Sequence, residues 1–451
     1  MTSGSPAARI LRFGLPLIAA NTLQQVYAMV DTMVLGHFGG VTGLAVLGTG
    51  SWPIWFMVSI LTNFSQAGSI VLAKRYGAGQ AEELKTVAGN VYIVALGLCA
   101  ALMAAGQLLA RPVLLAQNTP PDVLEQAVLY LRILFGGTFL LFAYNVHAAF
   151  LRAVGDSRTP LYAITAATGV NIGLDLLFVA GFRWGAPGAA LATVIAQGIS
   201  AVVCLRRVRA HPLFRVCRRH LRLRRAVLRE YFALCVPMLL QSFVIAMGGA
   251  FVQTHVNGYG TAFAAGISAT GRVFSLLETA AIALAQSTAT FVSQNYGAGA
   301  LERVRSGVKV SIGFALGIAT ALAGLMFLLG RGLLSLFVAP EAVQTAVEML
   351  FVYSFGLWIM YPMYVLRQTL QALGKAGIPL LAALVQLAVR VAVTLYLPLW
   401  LGRRGLYFPT VAAWVSSLVL IGFTYPYQMR QCRRRATPCA GAGERPVAEG
   451  A

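Results

Sequence analysis

Twelve apolar stretches follow one another along the chain, at about 10–35, 41–73, 86–110, 123–151, 159–181, 185–205, 231–256, 261–295, 307–330, 342–371, 376–400 and 405–429. Each reaches the roughly 20 residues that carry a helix across a bilayer. Between Phe38 and Ala73 no charged residue occurs at all. Backbone groups in hydrocarbon must pair within their own segment, so each stretch is predicted to be a helix. The apolar–polar alternation of barrel strands is absent.

The pattern repeats. "RYGAGQAEEL" (Arg75 to Leu84) matches "NYGAGALERV" (Asn295 to Val304), and "LRAVGDSRTP" (Leu151 to Pro160) matches "LQALGKAGIP" (Leu370 to Pro379). "FGLPL" (Phe13 to Leu17) matches "LCVPM" (Leu234 to Met238) more weakly. Three matches in one order at nearly one spacing indicate a duplicated six-helix unit. An even number of spans makes both units run the same way, so they are related by a pseudo-two-fold along the membrane normal. Substrate sites in such transporters lie between the repeats. The expected division is an N-lobe over 1–205, a basic linker over 206–229, a C-lobe over 230–429 and a basic, disordered tail over 430–451.

Charge orients this scheme. With 35 Lys and Arg against 14 Asp and Glu, the 451-residue chain carries a net charge of +21, yet only 11% of its residues are charged. Soluble domains hold about 25%. With the N-terminus inside, the inner segments hold nearly all the basic residues, ten arginines of the central linker among them; the outer loops keep only Arg111, Arg183, Arg331, Arg403 and Arg404. The positive-inside rule then places both termini in the cytoplasm of a multi-pass inner-membrane protein. This use of charge displaces a nucleic-acid reading. The linker's charge spacing also suits an amphipathic helix on anionic lipid, although a plain connection serves the same rule. The six cysteines and five histidines are scattered without metal-ligand spacing, so neither a disulfide framework nor a metal site is expected. The apolar run after Arg9 and Arg12 is too long for a cleavable signal peptide.

These motifs, together with "VDTMVLGHFG" in the first span and "GAALAT" in the sixth, resemble the MATE (multidrug and toxic compound extrusion) family, nearer its DinF-like than its NorM-like branch. The resemblance covers about Arg9 to Arg430. It implies a V-shaped bundle of two six-helix lobes and exchange of incoming H⁺ or Na⁺ for outgoing organic cations and drugs. No cofactor and no enzymatic activity are implied, and a monomer is expected.

Three acids fall well inside spans: Asp31, Asp175 and Glu278. Intramembrane carboxylates are costly and generally functional. Asp31 precedes the outer turn "HFGG" by six residues, and Asp175 precedes Arg183 by eight. At about 1.5 Å per residue both lie roughly 10 Å below the outer boundary. Each has a polar residue four positions earlier on the same helix face, Tyr27 and Asn171. Burial and a second carboxylate each favour a bound proton, and such a pair titrates as a unit. The resemblance implies that Pro16, Tyr27, Asp31, Asn171 and Asp175 form an N-lobe coupling site with Thr193, with Pro16 as the hinge of the first helix, and that Gln24 and Asn145 line the lobe cavity. Whether the ion is H⁺ or Na⁺ stays open.

Glu278 has no counterpart in the NorM-like cation site, and the tenth span, "FVYSFGLWIMYPMYVL", holds no acid. Glu278 is therefore read either as a partner of Arg390 or Arg272 that neutralises buried charge, or as a group facing a cationic drug. Trp52, Trp55, Phe56, Met57, Trp358, Met360, Tyr361 and Met363 offer cation–π and dispersion contacts to flat drugs, or ordinary membrane packing. Gly77, Gly79, Gly297 and Gly299 precede no GK[ST] and are read as tight turns rather than a phosphate loop. Without an ATP motif, transport draws on an ion gradient. A lipid-linked saccharide flippase is the alternative transport reading. A polytopic enzyme finds no convergent catalytic groups, and a passive scaffold has no use for buried acids.

Overall fold

The computed structural model describes residues 1–335 and 339–436. The tail beyond residue 436, with Cys439 and Arg445, lies outside the described residues. Among them there are helices and turns and no strand.

The first half comprises α1 (Pro6–Phe38), α2 (Gly40–Gly77), α3 (Ala81–Ala116), α4 (Pro121–Gly136), α5 (Thr138–Ala153), α6 (Arg158–Asp175) and α7 (Gly185–Ala210). The second comprises α8 (Arg225–Asn257), α9 (Thr261–Gly297), α10 (Leu301–Ser335), α11 (Pro340–Ala372), α12 (Gly377–Tyr396), the single turn α13 (Pro398–Leu401) and α14 (Pro409–Ala436). Prolines open several of these helices, where the missing N–H costs nothing. Among the described residues ten helices are long and apolar enough to cross a membrane, and α4 and α5, bent by 41° at their junction, pass the same measure together. The twelfth span is α1, whose Asn21, Gln24, Gln25 and Asp31 make it less apolar. The six-plus-six scheme follows. Leu328, Trp400 and Phe423, each at least 80% exposed, point outward as lipid-facing groups do.

Two large apolar cores and a small cluster of Phe13, Leu17 and Ala283 between α1 and α9 account for the packing. One gathers α2 to α7 with Ala20, Val34 and Leu35 of α1 and takes in Tyr231, Leu234 and Met238 from the start of α8. The other gathers α9 to α14 and takes in Ile10 from the start of α1. The inner ends of α1 and α8 thus cross to the opposite half. Ser287 Oγ donates to Ile10 O at 2.9 Å, Tyr231 Oη to Phe64 O at 2.6 Å, and Gln66 Nε2 to Gln368 Oε1 at 2.7 Å. Gln294 Nε2 donates to Ala153 O at 2.7 Å. These bonds join the N-terminal parts of α1 and α8 and the C-terminal parts of α2, α5, α9 and α11, so the two halves are closed together at that end.

The repeated Tyr-Gly-Ala-Gly motif explains that closure and corrects the turn reading. Gly79 and Gly299 do make turns, with φ of +71° and +73°. Gly77 and Gly297 instead sit where α2 and α9 cross. A Cβ on Gly77 would stand 1.8 Å from Gln294 O, and one on Gly297 2.0 Å from Lys74 O. The two contacts are mirror versions of each other, each glycine facing the residue three before the other.

The linker after α7 folds into two short 3-10 turns and docks on the inner end of α3, rather than lying free as an amphipathic helix. Asn90 Oδ1 accepts Arg224 N at 2.8 Å, and Glu82 bridges Arg219 and His220.

Candidate functional site

On α6 the stripe Thr168, Asn171, Asp175 is buried, with Asn171 and Asp175 wholly so. It faces the outer half of α1. Asp31 and Asp175 lie close enough to interact electrostatically. Tyr27 Oη and Thr193 Oγ1 of α7 are 2.9 Å apart. The structure therefore brings together Tyr27, Asp31, Asn171, Asp175 and Thr193 in one place.

Most polar atoms of this cluster are left unpaired. Asp31 Oδ1, both Asp175 oxygens, both polar atoms of Asn171 and Thr168 Oγ1 are buried and have no hydrogen-bond partner. Two ionised carboxylates are acceptors only and cannot satisfy each other. Buried charge without compensation is expensive.

Two features of the site escaped the sequence. Tyr130 of α4 lies close enough to interact electrostatically with Asp31, Tyr27 and Asp175. It looked like any tyrosine in an apolar span. Immediately after Asp175 the helix widens into a π-helical turn, Leu176–Gly181, with Phe182 N bonding to Leu177 O at 2.8 Å. Such turns often mark functional sites, and no periodicity announces them.

Other expected residues fall elsewhere. Pro16 lies well inside α1, past the first turn where proline is free of cost, so its missing hydrogen bond weakens the helix interior. Gln24 is exposed on the Tyr27 face. Asn145 lines a small polar cavity of about 40 Å³ toward the inner side, with Gln66, Arg152 and Gln286, away from Asp31. Glu278 makes no ion pair with Arg390 or Arg272; it accepts the hydroxyl of Tyr364, over whose ring the Arg367 guanidinium lies at 3.9 Å.

Of the aromatic and Met residues, Trp52, Trp55 and Phe56 line an apolar cavity of about 510 Å³ between α2, α3, α4 and α8, with Phe135 and Phe243. Met360, Tyr361 and Met363 are core. Met57 is buried too, its sulfur accepting Thr138 Oγ1 at 3.2 Å.

The comparisons agree with this architecture. The chain is 28% identical over 428 residues to the "Probable multidrug resistance protein YoeA" of Bacillus subtilis, covering 92% of each. It is 30% identical over 213 residues to the "DNA damage-inducible protein F" of Escherichia coli, covering 46% of this chain and 45% of that one. A solved structure described as the "Outward-facing conformation of a multidrug resistance MATE family transporter of the MOP superfamily" superposes with a TM-score of 0.90 at 20% identity, over 95% of this chain and 97% of that one. The MatE family model matches twice, over residues 16–177 and again over 237–397, once in each half. Family model, fold and internal duplication coincide, and the chain belongs to the MatE family of multidrug efflux transporters.

Proposed function

We propose that this protein is a secondary antiporter of the inner membrane that exports organic cations and amphiphilic drugs in exchange for H⁺ or Na⁺. The observation that carries the reading is the buried, donor-free pair Asp31 and Asp175. It must gain a cation or a proton to be stable in a water-poor place and must lose it where water returns. Binding and release of one positive charge is then linked to the conformation of the N-half. Tyr27 and Thr193 orient the cluster, and Asn171 offers both a donor and an acceptor to whichever ion arrives.

Coupling to shape runs through α1. Its outer half carries Asp31, and its inner half packs against α9 and α10 of the opposite lobe. Pro16 lies between the two and acts as the hinge. The aromatic cavity beside α2 and α8 supports drug binding, because indole and phenyl faces attract flat cations. The division into an N-lobe, a basic linker and a C-lobe, and action as a monomer, belong to this same reading. A lipid-linked saccharide flippase fits less well, since its anionic headgroup would be repelled by Asp31 and Asp175.

The test is efflux from proteoliposomes with ΔpH and ΔNa⁺ imposed separately. Wild-type protein should dissipate one of these gradients when an organic cation such as ethidium is added. Asp31→Asn and Asp175→Asn should insert normally and lose that response. Full coupled transport by both variants refutes the reading.

A further inference from the structure

The two halves can be placed in register by their own motifs. Aligning Pro16 with Pro237 shifts the first helix of each half by 221 residues, and aligning Gly155 with Gly374 shifts the fifth by 219. Tyr27 then corresponds to Gly248, Asp31 to Val252, Asn171 to Arg390 and Asp175 to Thr394. The acidic site of the N-half thus has a counterpart whose central side chain is a guanidinium.

The geometry shows an exchange of volume as well as of charge. Arg390 is only 7% exposed, between α12 and α8. A Cβ on Gly248 would stand 3.2 Å from its Cδ and 3.3 Å from its Nη1, so the loss of the tyrosine makes room for the arginine. Nη1 donates to Ile245 O at 3.3 Å, while Nε is buried with no acceptor. Glu278 of α9 is the carboxylate within its electrostatic reach, with Tyr353 and Tyr364 beside them. Arg367 stacks on Tyr364, and Arg272 is exposed. One half-buried carboxylate and one buried guanidinium face the same interior.

We infer that Arg390 is a tethered cation that fills, in the second half, the role a bound coupling ion fills in the first. Ion binding is therefore confined to one lobe, and the other is held permanently in its charge-compensated state. A guanidinium cannot be deprotonated in a protein, so this half neither takes up nor releases a proton or Na⁺ in the cycle. Replacing Arg390 by the amide present at Asn171 should remove the guanidinium charge near Glu278 and open that carboxylate to an incoming cation.

This inference rests on the N-lobe reading, and the experiment separates the two. Full-length protein in nanodiscs is assayed for ²²Na⁺ bound per chain at pH 8 and for protons taken up on dilution to pH 6. The Asp31→Asn/Asp175→Asn variant, with Arg390 intact, should bind neither. Adding Arg390→Asn should restore uptake of one cation per chain. Adding Glu278→Gln should abolish it again, and Arg390→Lys should give none. Residual cation uptake by the double-aspartate variant that depends on Glu278 overturns the inference. So does the absence of a gain in Arg390→Asn, or in Arg390→Gln should the asparagine variant not fold. Wild-type uptake that is indifferent to Asp31 and Asp175 refutes the N-lobe reading instead and leaves the Arg390 comparison readable.

Discussion

Gly77→Ala tests whether the repeated glycine motif seals the inner face. The added Cβ would stand 1.8 Å from Gln294 O, where an ordinary contact is at least 3.4 Å, so α2 and α9 must separate by about 1.6 Å. The obstacle is backbone, which cannot rotate away as a side chain can. Overpacking of this kind costs about 1–3 kcal/mol. The cost falls only on the state in which the inner ends are crossed, and it should shift that equilibrium about 5- to 150-fold toward an open inner face. Cys432 provides the readout. It is buried and lines a cavity with Lys74, Tyr296 and Gly297 at the crossing. With the exposed Cys217 and also Cys439 replaced by serine, alkylation by a membrane-impermeant maleimide from the inner side should be at least about five-fold faster in Gly77→Ala than in the parent. Gly297→Ala should behave alike, because its Cβ would stand 2.0 Å from Lys74 O. Gly79→Ala is the control: it strains a turn at φ +71° but meets nothing within 4 Å. An unchanged rate in Gly77→Ala, or an equal rise in Gly79→Ala, refutes the crossing as the seal.

Three further outcomes follow from other contacts. Tyr27→Phe removes the 2.9 Å bond to Thr193; at about 1 kcal/mol it should weaken half-saturation by the coupling ion about five-fold in a proteoliposome assay, and an unchanged ion dependence contradicts the role given to Tyr27. Gly137→Ala places a Cβ 2.3 Å from Val194 Cγ2 at the bend between α4 and α5, whereas on the adjacent Gly136 it would meet only Gln107 at 3.6 Å; the first should lower the melting temperature by the equivalent of about 1–3 kcal/mol and the second leave it nearly unchanged, as read by a thermal melt in detergent. Glu230 ties α8 to the end of α2 through Lys74 at 2.8 Å and Arg75 at 2.6 Å, with all three side chains partly exposed; Glu230→Gln should cost under about 1 kcal/mol in dilute buffer, and the difference should fade in high salt.

What could be read from the chain, and what could not, divides along a physical line. Hydrocarbon imposes itself on every residue of a span, so the membrane-spanning helices were visible as length and apolarity. Ends were less visible, because hydropathy stops at the first charge while the helix continues: α2 runs on through Lys74 and Arg75 to Gly77, and α1 begins at Pro6. Asp31 and Asp175 stood out because a carboxylate in a span is anomalous by itself. Tyr130 did not, because a phenol is at home there. The glycines show the boundary most clearly. Glycine in a motif signals that a Cβ is forbidden but not what forbids it, and here one motif holds both answers, a turn at Gly79 and a helix crossing at Gly77. Only a partner from the other half distinguishes them, and that partner is remote in sequence. The duplication supplies the missing comparison. Once the halves are in register, each position has a reference, and departures from it become informative: a glycine from each half at the crossing means a shared function, while Arg390 in place of Asn171 means that two lobes of one ancestry have divided the work of handling charge.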